Sequence, residues 1–215
     1  TGSDTSAHLT IAAGIRNYYL PGGGPSPSTA GLAWAQLTND FQNSLGAFAS
    51  QVSVQAAIDA EPGYSGPSVA ESWGNGFSGN YYIYYDYGSA DGCPQSQPFG
   101  GCNNGWGQSD EYAMAYGIPA AFALPEIYTT NGSMAAQWQQ ISLWGYVYNR
   151  TLGAIVFSGV TTQWNACQQT GGCTSPCCTN NNPLAGWSQL YGDLNNDSRT
   201  AQTDLPWSTD RAWRT

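Results

Sequence analysis

The stretch SVQAAIDAEPGYSG, residues 53–66, decides the reading of this chain. Residues 53–59 read as a strand. An apolar residue leads into an acid, one small residue, a second acid and then Pro-Gly. In extended backbone, residues i and i+2 point to the same side, so Asp59 and Glu61 are expected to project together from the strand end.

Strand-like and helix-like segments alternate on either side of this stretch. Strands are predicted over 8–20, 53–59, 81–88, 120–128 and 153–160. Helices are predicted over 29–50 (apolar Leu37, Phe41, Leu45 and Phe48), 68–77, 107–117, 133–146 (Met134, Trp138, Ile141) and 184–196 (Trp187, Leu190, Leu194). Residues 197–215 read as an irregular tail packed by Trp207 and Trp213. Alternation of β and α units implies parallel strands joined by right-handed crossovers. No Gly-rich phosphate fingerprint follows the first strand, so the expectation is a single α/β domain over 1–215, a (β/α) TIM-type barrel. Five strands are legible and a full barrel needs eight. Either strands precede residue 1, the preferred reading, or the barrel is incomplete.

Composition excludes several function classes. Charged residues make up 9% of the chain, net charge is −9, and there is no lysine. The basic residues are Arg16, Arg150, Arg199, Arg211 and Arg214. Such a surface repels a phosphate backbone, which argues against nucleic acid and against anionic membranes. No apolar run approaches the roughly 20 residues of a membrane span. The abundance of Trp, Tyr and Phe, 13% of residues, demands burial or ligands and argues against disorder.

In a parallel α/β domain the strand C-termini gather on one face, where catalytic groups concentrate. Three successive predicted strands end in acids: Asp59 with Glu61, then Asp86 in YYDYG, then Glu126 in LPEIY. Glycosidic cleavage needs an acid for the leaving oxygen and a carboxylate for the anomeric centre. Two acids in one low-dielectric pocket split their pKa values into those roles. Glu61 is assigned as general acid. Asp59 would orient it, or assist the substrate's own acetamido group. Asp86 and Glu126 would be electrostatic or water-activating partners. Tyr64, Tyr85, Tyr87, Tyr128 and Trp164 near the strand ends suit stacking on sugar faces, with Gln163 and Asn165 as hydroxyl partners. Tyr82 and Tyr84 alternate with Tyr85 and Tyr87, so one of these sets must point away from the interior. His8 reads as a surface residue. No cofactor and no metal constellation is expected.

The cysteines fall in two groups, Cys93 with Cys102, then Cys167, Cys173, Cys177 and Cys178. CTSPCC lacks the paired C-x-x-C spacing of a zinc site, so disulfides and an oxidising compartment are expected. Cys93–Cys102 is the expected pair of the first group; the partners of Cys177 and Cys178 stay open. Both groups lie in loops on the same rim as the acids. Asn131, Asn149 and Asn196 head N-x-S/T sequons, which carry glycans if the source glycosylates secreted proteins. No signal peptide is visible at the start, so the sequence reads as mature, processed or a fragment.

The segment AAIDAEPGYS resembles the D-x-E strand end of glycoside hydrolase family 25 muramidases and of related secreted glycoside-hydrolase-like domains. The resemblance implies a (β/α) barrel cleaving β-1,4 bonds of peptidoglycan, with Asp59 and Glu61 in the two acid positions of the motif and Glu61 as proton donor. The Cys-rich loops and YYDYGSADGCP depart from the muramidase pattern, which points to a relative rather than a lysozyme. The expected function is a secreted glycoside-hydrolase-like protein, extracellular or at the cell surface, that cleaves or binds a polysaccharide or other glycan. The alternative is a non-catalytic glycan-binding protein, or a self-assembling surface or fibre protein, on a degenerate barrel.

Overall fold

The computed structural model describes residues 6–17, 24–79, 82–172 and 180–212. Strands β1 (Leu9–Arg16), β2 (Val52–Asp59), β3 (Tyr84–Asp86) and β4 (Ala121–Ala123) pair in that order, all parallel. Two-residue strands β5 (Thr161–Thr162) and β6 (Thr209–Asp210) form a second parallel pair. A parallel bridge between Glu126 and Thr161 joins the run beyond β4 to β5. Helix α1 (Pro27–Ser44) links β1 to β2, and α2 (Pro67–Ser78) links β2 to β3. Between β3 and β4, α3 (Gln108–Tyr112) runs into a π-helical turn, Ala113–Gly117. Helix α4 (Ser133–Tyr148) precedes β5, while α5 (Trp164–Gln169) and α6 (Pro183–Asn195) precede β6. The expected α/β class and parallel pairing hold. Among the described residues, no helix is long and apolar enough to cross a membrane.

Local chemistry explains where the helices begin. Ser26 accepts a hydrogen bond from the Thr29 N–H and Pro27 occupies the first turn of α1. Asn182 and Pro183 do the same for α6, through the Ala185 N–H. Such caps satisfy donors that a helix N-terminus leaves orphaned. One apolar cluster, with Ile58, Trp73, Phe77, Tyr84 and Met114, lies between β2, β3 and their helices. A second, with Ile127, Trp138, Ile141, Phe157, Leu190 and Leu194, packs α4 and α6.

The structure departs from the expected elements at four places. The stripe Leu37, Phe41 and Phe48 does not face the core: these residues are 52%, 39% and 73% exposed. α1 instead packs on α2 through backbone. A Cβ on Gly31 would meet the Trp73 carbonyl at 2.1 Å, and one on Gly76 would meet the Ser28 carbonyl at 2.1 Å. The predicted strand over 153–160 is irregular, with Gly153 and Gly159 at positive φ, and the strand proper is β5 just beyond it. Its buried Ile155, Phe157 and Val160 still enter the core. β4 covers only Ala121–Ala123 of the predicted 120–128. Helix α5 and strand β6 arise where loop and tail were expected; Trp213 lies outside the described residues.

The segments carrying the acids are locked at close range. A Cβ on Gly88 would lie 1.8 Å from the Ala60 carbonyl oxygen, so only glycine lets the end of β3 approach the D-x-E segment. Gly88→Ala is expected to cost about 1–3 kcal/mol, the usual range for overpacking. The check is the urea midpoint; an unchanged midpoint contradicts the close approach.

Candidate active site

Parallel register brings the acid-bearing strand ends together. Arg16 is level with Asp59, and Ile58 with Asp86. Leu124 N–H donates to the Asp86 carbonyl, Glu126 N–H to that of Gly88, and Ile127 N–H to that of Thr161. From β5 the ladder continues to the end of β6, where Arg211 N–H donates to the Thr162 carbonyl. Six chain segments therefore end on one side.

Carboxyl oxygens of Asp59, Glu61 and Glu126 lie within 4.8 Å of one another. This is the meeting of side chains that the i, i+2 spacing predicts. Asp59 and Glu61 are partly buried and Glu126 is buried, so the cluster does not lie on open surface. A cavity of about 410 Å³ adjoins them, lined by Ala12, Gly14, Ala57, Leu124, Thr161, Thr209, Tyr87 and Arg211. The last two also contact the acids or their neighbours. A larger hollow of about 600 Å³, lined by Tyr116, Phe122, Leu152 and Val156 among others, does not include Arg211.

Arg211 escaped the sequence reading. Its Nη2 lies 2.8 Å from Glu126 Oε1 and 3.9 Å from Asp59 Oδ1. Its guanidinium lies over the Tyr87 ring at 4.6 Å and the Tyr128 ring at 5.5 Å. Asp210 sets its position: that carboxylate accepts from the Thr162 hydroxyl and from the Trp164 and Asn165 N–H groups, pinning β6 to the start of α5. Burial works against the Arg211 charge, but Glu126, Tyr128 and Asp59 outweigh it and raise its pKa.

Electrostatics divides the acids. Burial, then the Asp59 and Asp91 charges, pushes Glu61 up to about 7; a hydrogen bond from Ser89 and the charge of Arg211 oppose this. Asp59 is also raised by burial, but Arg211, a hydrogen bond shared with Glu61, and Arg16 pull it back. The cations favour charge on Asp59 and the anions favour a proton on Glu61. These opposing charges push the two pKa values apart, in the direction that favours the proton on Glu61. Burial raises Glu126 well above the usual carboxylate range, against the pull of Arg211. The Tyr128 hydroxyl donates to Glu126 Oε1 at 2.7 Å.

The other expected site residues separate into those at the hollow and those away from it. Tyr87 lines the cavity, with its hydroxyl donating to the Ile15 carbonyl at 3.3 Å. Tyr64 stands at the mouth with Arg16 over its ring at 5.6 Å, and burial followed by Glu61 lifts its pKa to about 12. Tyr85 shares the Tyr87 face but packs edge-on against Phe122, further from the acids. Tyr82 and Tyr84 face the helices, donating to Asn39 Oδ1 and to the Met114 carbonyl, so of the alternating tyrosines it is this set that points away. Tyr128 is buried and touches the site only through Glu126 and Arg211, which removes it as a stacking surface. Gln163 and Trp164 are half-buried at the start of α5, a helix whose Ala166 N–H donates to the Arg211 carbonyl.

Asp86 differs most from expectation. It has no exposure, shares the face of Tyr84 rather than that of Tyr85 and Tyr87, and so activates no water. Its Oδ1 accepts from the N–H groups of Ala60 and Gly88. It holds the D-x-E segment against β3 from behind.

The Cys93–Cys102 disulfide forms as expected, and Cys167 is also disulfide-bonded. Cys173, Cys177 and Cys178 lie outside the described residues. The first loop walls the acids: it carries Ser89 and Asp91, and Trp106 Nε1–H donates to the Ser65 carbonyl at 2.7 Å. Asn131 and Asn196 are exposed and Asn149, at the end of α4, is half-buried. His8 is exposed, as expected. Comparison of the chain with models of protein families, with curated proteins and with solved structures gave no match in any of the three.

Proposed function

We propose that this protein is a secreted glycoside hydrolase acting on a cell-wall or extracellular polysaccharide, with Glu61 as the general acid. The observation that carries the reading is the convergence of Asp59, Glu61 and Glu126 within 4.8 Å around Arg211, which also lines an open cavity; burial and the Asp59 charge push Glu61 up to about 7. Parallel strands arranged in chain order, with the cavity on their inner face, support a (β/α) barrel as the scaffold, complete or partial. The disulfides fit an oxidising compartment.

Spacing narrows the mechanism. Retaining enzymes with a carboxylate nucleophile hold their two carboxyls about 5–5.5 Å apart, and inverting ones about 6.5–9.5 Å. Carboxyl oxygens of Asp59 and Glu61 lie within 4.8 Å of one another, short of both separations. Glu61 then protonates the leaving oxygen, and Asp59 orients a nucleophile that the substrate itself brings, such as a 2-acetamido group. Glu126, paired with Arg211, fixes the guanidinium at the base of the site. This assignment agrees with the resemblance of AAIDAEPGYS to the muramidase motif.

A second reading, a glycan-binding protein without catalysis, draws on one observation: Arg211 already engages Glu126 and approaches Asp59. The test is a panel of peptidoglycan and neutral and acidic polysaccharides, assayed for new reducing ends and, in parallel, for binding. Turnover of any member by wild type, lost in Glu61→Gln, supports the hydrolase. Binding without turnover by either protein establishes the second reading instead.

A further inference from the structure

Regular pairing of β2 ends at Asp59, yet the side chains of Asp59 and Glu61 still meet on one side of the chain. Strand alternation therefore has to persist for two residues beyond the strand. On the β3 side the ladder is replaced by Asp86, whose Oδ1 accepts the Ala60 N–H. On the β1 side it is replaced by Asn17, the residue that follows β1. The Asn17 backbone N–H donates to the Asp59 carbonyl at 3.2 Å, the last rung of the β1–β2 ladder. Its side-chain Nδ2 then donates to the Glu61 carbonyl at 3.0 Å, the contact that one more rung would make. One residue thus grips two carbonyls two positions apart, those of the two acids themselves.

Asn17 is 7% exposed, and a polar side chain buried to that degree needs partners. Its Oδ1 is buried with no hydrogen-bond partner among the described residues. The amide is therefore held by its donor alone, through the bond to Glu61. A second contact shows what that bond works against. The Glu61 carbonyl also accepts the Tyr64 N–H at 3.1 Å, in a turn that takes the chain away from the strand. Without Asn17, nothing on the β1 side opposes that turn at Glu61.

We propose that Asn17 is a positioning residue: its side-chain amide extends the β1–β2 ladder by one rung and so keeps Glu61 beside Asp59. It acts through the Glu61 backbone, not on the reacting atoms. The catalytic importance of this role rests on the hydrolase reading. Its test requires no turnover, so the two can fail separately.

The experiment is NMR on the intact protein: amide hydrogen exchange, with a carboxyl ¹³C titration of Glu61. In wild type the Asn17 side-chain amide is expected to exchange slowly; exchange at the rate of a free amide overturns the proposal even if no variant folds. Asn17→Leu keeps the volume and removes the donor. In it the Glu61 midpoint is expected to fall from about 7 toward the ordinary glutamate range, because Glu61 leaves both its burial and the Asp59 charge. The Ala60 N–H is expected to exchange ~10-fold faster or more, as the segment opens locally. Gln202→Leu is the control. Gln202 is also buried, and it brackets a backbone in the same manner, accepting the Phe157 N–H and donating to the Phe157 carbonyl. It is expected to leave the Glu61 midpoint and the Ala60 exchange at wild-type values. A Glu61 midpoint unmoved in Asn17→Leu overturns the proposal. So does an equal shift in Gln202→Leu, which marks general loosening of the fold.

Discussion

Glu61→Gln is expected to lower turnover by ~10²-fold or more, the usual scale for one general acid. The amide keeps the shape of the side chain and its place beside Asp59 but has no proton to give at this pH. Loss in kcat with little change in KM separates this role from simple binding. The wild-type pH profile carries the same information. Glu61 works as the protonated acid, so the active fraction is full below its pKa and lost as pH rises through about 7. Above that value each pH unit removes about tenfold of activity. A basic limb that appears only near pH 10 contradicts Glu61 as the donor, since it points to a tyrosine or another group with an ordinary high pKa.

Arg211→Met is expected to give the largest loss of stability. Glu126 is 4% exposed and its counter-ion is Arg211, at 2.8 Å. Breaking one side of a buried ion pair costs about 3–5 kcal/mol. Here Glu126 can take up a proton once Arg211 is gone, which holds the loss near ~3 kcal/mol. For a chain of this length that is roughly a 6–12 °C fall in Tm. Arg211→Lys is expected to recover only part, because an ammonium does not lie flat over Tyr87 and Tyr128 as a guanidinium does. Glu126→Gln in the Arg211→Met background removes the uncompensated acid and is expected to restore stability relative to the single variant. Additive losses in this double-mutant cycle contradict a coupled pair.

The legible part of the site is the part carried by local spacing. Asp59 and Glu61 sit two apart at the end of a strand, and that alone places them on one side. Glu126 followed from the strand–helix alternation. Arg211 did not, because β6 is two residues long and has no periodicity. Its position depends on Asp210 capping α5, a contact between distant segments. Glu111 carries no such spacing; it is fully buried, with a carboxyl oxygen within 4.8 Å of the Cys93 and Cys102 sulfurs. The orientation of Asp86 was misjudged for a different reason. It ends a strand as Asp59 does, but its register with Ile58 puts it on the helix face. On α1, the stripe of Leu37, Phe41 and Phe48 had helical spacing, yet Gly31 and Gly76 allow the backbones of α1 and α2 so close that a small-residue face is buried instead.

The fold itself was read through its alternation of elements. Parallel pairing and chain-order strands agree with that reading. Strand lengths were overestimated, since the strands within 81–88 and 120–128 are three residues each. Beyond those residues the chain leaves regular pairing to bring Gly88 and Glu126 to the site.

The most direct measurement is the ionisation midpoint of the Glu61 side chain, followed by ¹³C NMR in wild type and in Asp59→Asn. Burial and the neighbouring Asp59 charge place the wild-type midpoint at about 7, and removal of the Asp59 charge lowers it. A midpoint in the ordinary glutamate range near 4.3, unmoved by Asp59→Asn, would show that the acids do not share a site.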